Sequence, residues 1–112
     1  MLPKRNRLKK RSDIEGVFKK GKSIKQDFLF LRILRNNLKI SRFGFMVSKK
    51  ISKKATIRNK VRRRFGEIIR TNLFEIKKGW DGVIIAFPGI EKKKFKETEE
   101  NIKRILRKAQ IF

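Results

Sequence analysis

Cysteine and histidine are both absent from these 112 residues. The first absence excludes disulfides, thiolate zinc sites and cysteine nucleophiles, and the second removes the commonest general base and transition-metal ligand. Acids are scarce: 10 Asp plus Glu stand against 34 Lys plus Arg, a formal charge of +24. A protein nuclease acting alone needs paired carboxylates for metal ions, or histidine acid–base groups. The only dense acidic cluster, Glu97, Glu99 and Glu100, falls early in a segment of helical period, where carboxylates meet the helix dipole favourably; its expected role is structural. The longest unbroken apolar run, residues 83–87, is far too short to span a bilayer. The basic N-terminus lacks the apolar stretch of a secretory signal, so the expected location is cytoplasmic.

What is present fits one domain. A chain of this length supports a single core, and an apolar fraction of 38% that includes 10 Phe argues for a folded core over a disordered basic tail. A charge of +24 makes the isolated fold self-repulsive, so its normal partner is expected to be a polyanion. A membrane surface is the weaker choice, because the last amphipathic segment has its apolar stripe interrupted by acids near its start.

Residues 1–11 carry Lys4, Arg5, Arg7, Lys9, Lys10 and Arg11 with no acid, which reads as an extended arm. Ser12-Asp13-Ile14-Glu15 fits a capping box, predicting a short first helix with Ile14, Val17 and Phe18 on one face and Gly21 as its stop. An apolar run predicts a strand over about 27–35, Asn36-Asn37 a turn, and the alternation of Phe43, Phe45 and Val47 a second strand over about 40–47, paired with the first as an antiparallel hairpin. After a basic loop, Thr56 is a candidate N-cap, and Ile57, Val61, Phe65, Ile68 and Ile69 recur at helical period, placing a helix over about 57–74. A buried strand over 83–87 and a helix over about 92–108 follow. The order αββαβα predicts an α+β sandwich, one domain over 1–112, with helices covering one face of a small mixed sheet and the other face partly open.

Projected at about 100° per residue, the central helix has a core face and an opposite face bearing Asn59, Arg63 and Arg70, flanked by Lys60, Arg62 and Arg64. Its first turn meets Lys49, Lys50, Lys53, Lys54 and Arg58, where the macrodipole ordinarily attracts acids. Bound phosphate or sulfate would resolve that conflict. The acids concentrate from Glu67 onward, so the arm and the 49–64 region are the expected polyanion-facing surface.

The segment Lys54-Ala55-Thr56-Ile57-Arg58-Asn59-Lys60-Val61-Arg62-Arg63, preceded by Val47-Ser48-Lys49-Lys50-Ile51, resembles the hallmark Arg-Asn-Arg motif of the bacterial ribonuclease P protein family. The opening Arg5-Asn6-Arg7-Leu8-Lys9-Lys10, the first helix and Ile84-Ile85-Ala86 match in order and spacing. Lys60 replaces the second Arg of the motif, keeping charge but losing the bidentate fork. Gly66 stands where the family usually has Arg, Ile14 where an aromatic is frequent, and Phe87 where a basic residue is common. The resemblance implies a non-catalytic subunit of a tRNA-processing endoribonuclease: an RNA carries the chemistry and requires Mg²⁺, while the protein binds that RNA and the single-stranded 5′ leader of precursor tRNA. It implies that the basic helix and loop residues, from Lys49 to Arg70, contact the catalytic RNA, and that Ile14, Phe18, Lys20, Leu29 and Leu31 line a leader cleft. It also implies a left-handed crossover through the central helix. The rival reading is a ribosomal protein, equal in size, charge and basic arm; the order of motifs favours ribonuclease P.

Overall fold

The computed structural model describes residues 2–112. Its elements are α1 (Arg11–Lys20), β1 (Lys22–Gln26), β2 (Leu29–Arg35), β3 (Arg42–Met46), α2 (Ala55–Asn72), β4 (Trp80–Ala86) and α3 (Phe95–Lys108), with short 3₁₀ turns at Lys4–Asn6, Leu73–Glu75 and Ile90–Lys92. The four strands form one mixed sheet in the order β1-β2-β4-β3. The α+β class and the helix count follow the sequence; the strand pairing differs from the expectation.

β2 and β3 are not a hairpin. β4 lies between them, antiparallel to β2 (Leu31 opposite Ile84) and parallel to β3 (Phe45 opposite Ile84). Its residues Val83 and Ile84 are buried, as suits a short continuous apolar run at the centre of a sheet. The hairpin partner of β2 is β1, through a two-residue loop in which Asp27 takes φ 50°, a left-handed conformation that Asp tolerates. β1 carries one apolar residue, Ile24, among Lys22, Ser23, Lys25 and Gln26, so no hydrophobic alternation marks it. Exposed lysines on such an edge also discourage unwanted pairing.

Helix starts shift for local reasons. α1 begins at Arg11 with Lys10 as N-cap and no side-chain cap, so the Ser12 capping box does not form; Glu15 pairs with Arg11 at 3.2 Å instead. α2 begins at Ala55, placing Thr56 inside its first turn. α3 starts at Phe95, where the Glu97 carboxylate accepts the Lys94 backbone N–H at 3.3 Å.

The main core lies between α2, α3 and one sheet face, joining Leu29, Leu31, Phe43 and Ile84 to Phe65, Ile68, Ile102, Ile105 and Leu106. On the other face α1 covers part of the sheet, packing Val17 with Leu8 and Val83, and Ile14, Phe18, Leu34 and Ile85 around them. Polar contacts tie α1 to one end of the sheet: Arg42 on β3 reaches Asp13 on α1 at 3.3 Å and Asp81 on β4 at 2.6 Å.

Candidate nucleic-acid interface

α2 has the two faces that its periodicity predicts. Val61, Phe65, Ile68 and Ile69 are buried, while Asn59, Lys60, Arg63 and Arg70 are exposed. Lys60 and Arg63 make no hydrogen bond or ion pair among the described residues. The other arginines are partly engaged. Arg58 donates to the Ser52 and Lys53 carbonyls at 2.9 and 3.0 Å, bracing the basic loop. Arg62 donates to Asn59 Oδ1 at 2.7 Å and the Val47 carbonyl at 3.2 Å, and Arg64 to the Lys93 carbonyl at 3.0 Å. Arg70 pairs with Glu67 at 2.5 Å; that hydrogen bond raises the guanidinium pKa and lowers that of the carboxyl.

The helix start is an electropositive junction. Lys49, Lys50, Lys53 and Lys54 are exposed around it, anchored by buried Ile51. Ser52 Oγ accepts the Lys54 backbone N–H at 3.1 Å, and α2 has neither a side-chain cap nor an acid in its first turn. Its leading N–H groups therefore point among cations with no protein carboxylate to receive them, an arrangement that favours an anion.

The arm is more ordered than an extended tail. Leu2, Asn6 and Leu8 are buried, Arg7 bridges to Phe43 alongside β3, and the Leu8 N–H donates to the Phe43 carbonyl at 3.0 Å. Arg7 Nε donates to the Leu2 carbonyl at 2.7 Å, whereas Arg5, Lys9, Lys10 and Arg11 remain exposed. Between arm, β3 and α2 lies a hollow of about 590 Å³, floored by Leu8, Phe43 and Phe45 and rimmed by Lys9, Lys60 and Arg63. The cations of arm and helix thus border one surface.

The opposite sheet face carries the second expected site, with a correction. Leu29 and Leu31 are fully buried in the core under α2 and α3, so neither lines a cleft beside α1. Because strand side chains alternate in direction, a one-residue change of register exchanges the faces, and the β2 residues on the α1 side are Phe30, Arg32 and Leu34. Arg32 lies 5.7 Å from the Phe18 ring centroid and donates to the Phe18 carbonyl at 2.5 Å, to the Gly21 carbonyl at 3.1 Å and to Ser23 Oγ. Phe30 meets Phe87 edge-on at 6.1 Å, and Lys25 Nζ sits 5.7 Å from the Phe87 ring. Ile14 and Phe18 are half-buried on the α1 wall and Lys20 is exposed at its end. Phe30, Arg32, Lys25 and Phe87 escape a reading of the sequence because the run from Phe28 to Leu34 has no alternation to tell one sheet face from the other; Lys25 lies on the unpredicted edge strand.

Comparison with known proteins places this arrangement. The Ribonuclease P family model matches residues 2–110. The ribonuclease P protein component of Clostridium acetobutylicum is 38% identical over 110 residues, covering 96% of this chain and 92% of that one; that of Clostridioides difficile is 42% identical over 105 residues, covering 93% and 91%. Among solved structures, a ribonuclease P protein mutant from Staphylococcus aureus superposes with a TM-score of 0.91 at 26% identity, covering 97% of this chain and 92% of that one. The Thermotoga maritima protein superposes at 0.84 with 33% identity, covering 91% and 96%. With its full-length sequence match and its shared fold, the chain belongs to the family of bacterial ribonuclease P protein components.

Proposed function

We propose that this subunit docks on the catalytic RNA through α2, the 48–54 loop and the arm, and receives the 5′ leader of precursor tRNA in the cleft between α1 and the open sheet face. The observation that carries the reading is the separation of two chemistries on opposite sides of one sheet. On one side are cations with scarce acidic compensation; on the other are aromatic rings with cations set against them. Clustered cations bind phosphates without reading sequence, and rings beside cations suit single strands of varied sequence. Lys60 and Arg63 are the α2 cations most available to phosphates, Lys49, Lys50, Lys53 and Lys54 surround the open helix start, and Phe18, Phe30, Arg32 and Phe87 form the leader wall.

The chain's own part is to bind and orient. No group of three or more Asp and Glu side chains among the described residues is placed to hold a metal ion, and in this proposal the Mg²⁺ ions belong to the RNA. No helix among the described residues is long and apolar enough to cross a membrane, and a cytoplasmic location accords with work on tRNA.

The test is reconstitution of the protein with a ribonuclease P RNA and a labelled precursor tRNA at low Mg²⁺. Protein alone is expected to leave the precursor intact, and protein plus RNA to cleave faster than RNA alone. Unchanged cleavage on adding protein, or clean leader removal by RNA-free protein, would sink the proposal. A second expectation concerns the open start of α2. Free sulfate at ten times its dissociation constant should stabilise the fold by about 1.4 kcal/mol, read as a raised melting temperature. Lys53→Ala and Lys54→Ala together should reduce the gain, and a melting temperature indifferent to sulfate would remove the anion site.

A further inference from the structure

Phe74 is 84% exposed, far more than the other exposed large apolar residues, Leu38, Met46 and Phe95, of which Met46 is the next at 47%. It sits in the 3₁₀ turn Leu73–Glu75 that ends α2. Its neighbours take the inward positions: Ile76 is buried and Leu73 packs against the core, so the chain turns the Phe74 ring outward. A single exposed apolar side chain is ordinary, but this one has a setting. Phe74 borders a hollow of about 350 Å³ with Ile40 and Ile76 among its apolar lining. Arg5, Lys39 and Lys78 are exposed around it, each without a hydrogen bond or ion pair among the described residues. No carboxylate lines the hollow; Glu75, next in the chain, lies outside its lining.

We infer that this hollow is a second, separate RNA contact, in which the Phe74 ring stacks on one unstacked base of the catalytic RNA while Arg5, Lys39 and Lys78 take the flanking phosphates. The inference rests on the functional reading above, in which that RNA lies along α2. An aromatic face beside unpaired cations has the chemistry of a nucleotide held by stacking and charge. A second protein copy would have to bury three like charges per partner there with no acid to receive them, so charge complementarity selects the polyanion. The position extends the footprint: α2 has 18 residues, so its two ends stand roughly 27 Å apart at 1.5 Å per residue. An RNA touching both ends is gripped at two well-separated points, which fixes the orientation of the protein on it.

Since the ring is almost wholly in solvent, Phe74→Ala should fold and melt as the parent does, making the test clean. Affinity of the full chain for a ribonuclease P RNA is measured by titration across several salt concentrations, with sedimentation of the free protein alongside. Phe74→Ala is expected to weaken RNA binding roughly 5- to 150-fold with an unchanged salt slope, and Phe74→Tyr to retain binding. Lys39→Ala and Lys78→Ala should each lower the slope by about one unit. Parent-like affinity in Phe74→Ala, while the parent binds RNA tightly, overturns this site and leaves the functional reading standing. A parent that does not bind the RNA overturns both. Self-association that Phe74→Ala abolishes without any change in RNA affinity assigns the face to a second copy and likewise overturns the inference.

Discussion

Asp81→Ala is expected to destabilise the protein by about 3–5 kcal/mol, a large share of the roughly 5–15 kcal/mol available to a domain of ordinary stability. Asp81 has a side chain only 6% exposed, on the central strand. It accepts hydrogen bonds from Arg42 Nε at 2.9 Å, Arg42 Nη2 at 2.6 Å and Asn36 Nδ2 at 2.8 Å. The hydrogen bond to Asp81 is the main cause of a raised Arg42 pKa, with Asp13 adding to it. Removing the carboxylate leaves Arg42, at 23% exposure, with only the longer contact to Asp13, and deprives Asn36 of a partner. Stranding a largely enclosed charge is what makes breaking such a pair costly. In urea unfolding, the midpoint should fall with the slope unchanged. Arg42→Met combined with Asp81→Leu should lose less than the sum of the single changes, because neither charge is then left behind. A loss below about 1 kcal/mol for Asp81→Ala would reclassify the cluster as a solvent-screened pair.

Phe18→Ala is expected to weaken binding of precursor tRNA by the assembled ribonucleoprotein by about 1–3 kcal/mol, with mature tRNA, which has no leader, bound as before. Phe18 is half-buried at the edge of the minor cluster, with Arg32 over its ring, so its truncation removes a stacking surface while leaving the main core untouched. Two controls bracket the result. Arg63→Ala should instead weaken assembly with the catalytic RNA and reduce its salt slope by about one unit. Leu31→Ala, on the buried face of β2, should cost about 2–5 kcal/mol of stability with no selective loss of precursor. Equal losses for precursor and mature tRNA in Phe18→Ala would return that ring to ordinary packing.

The legible parts of this protein are those in which one physical signal dominates. In α2 the apolar period and the cations occupy different faces, so helix, core face and basic face all follow from spacing, within two residues at each end. The strands are harder. β1 has a single apolar residue, and an edge strand partly in solvent needs no more. For β2, the run from Phe28 to Leu34 is apolar on both faces, since Leu29 and Leu31 serve the main core while Phe30 and Leu34 face the other side. Without alternation the register is ambiguous, and spacing alone does not say whether Leu29 and Leu31 or Phe30 and Leu34 face the cleft. The pairing of β3 is a matter of topology: neighbours in sequence are adjacent in space only about two times in three, and nothing local to residues 40–47 says that β4 will enter beside them. The arm misleads for a related reason. Its charges suggest a free tail, while the anchoring comes from just Leu2, Asn6 and Leu8.

The placement of β4 bears on how the protein is made. β4 is the last strand to leave the ribosome: β2 and β3 emerge first, and the contacts that join them wait for residues 80–86, which follow their partners in β2 by 45 positions at Arg35 and Trp80 and by 57 at Leu29 and Ala86. Until then the nascent chain holds a lone β1–β2 hairpin, marginal by itself in water, and a strongly basic α2 with no sheet beneath its apolar face. Closing such long loops slows folding. During synthesis the basic helix is therefore exposed before the domain that will carry it exists, and an early encounter with polyanions would meet a partly built protein.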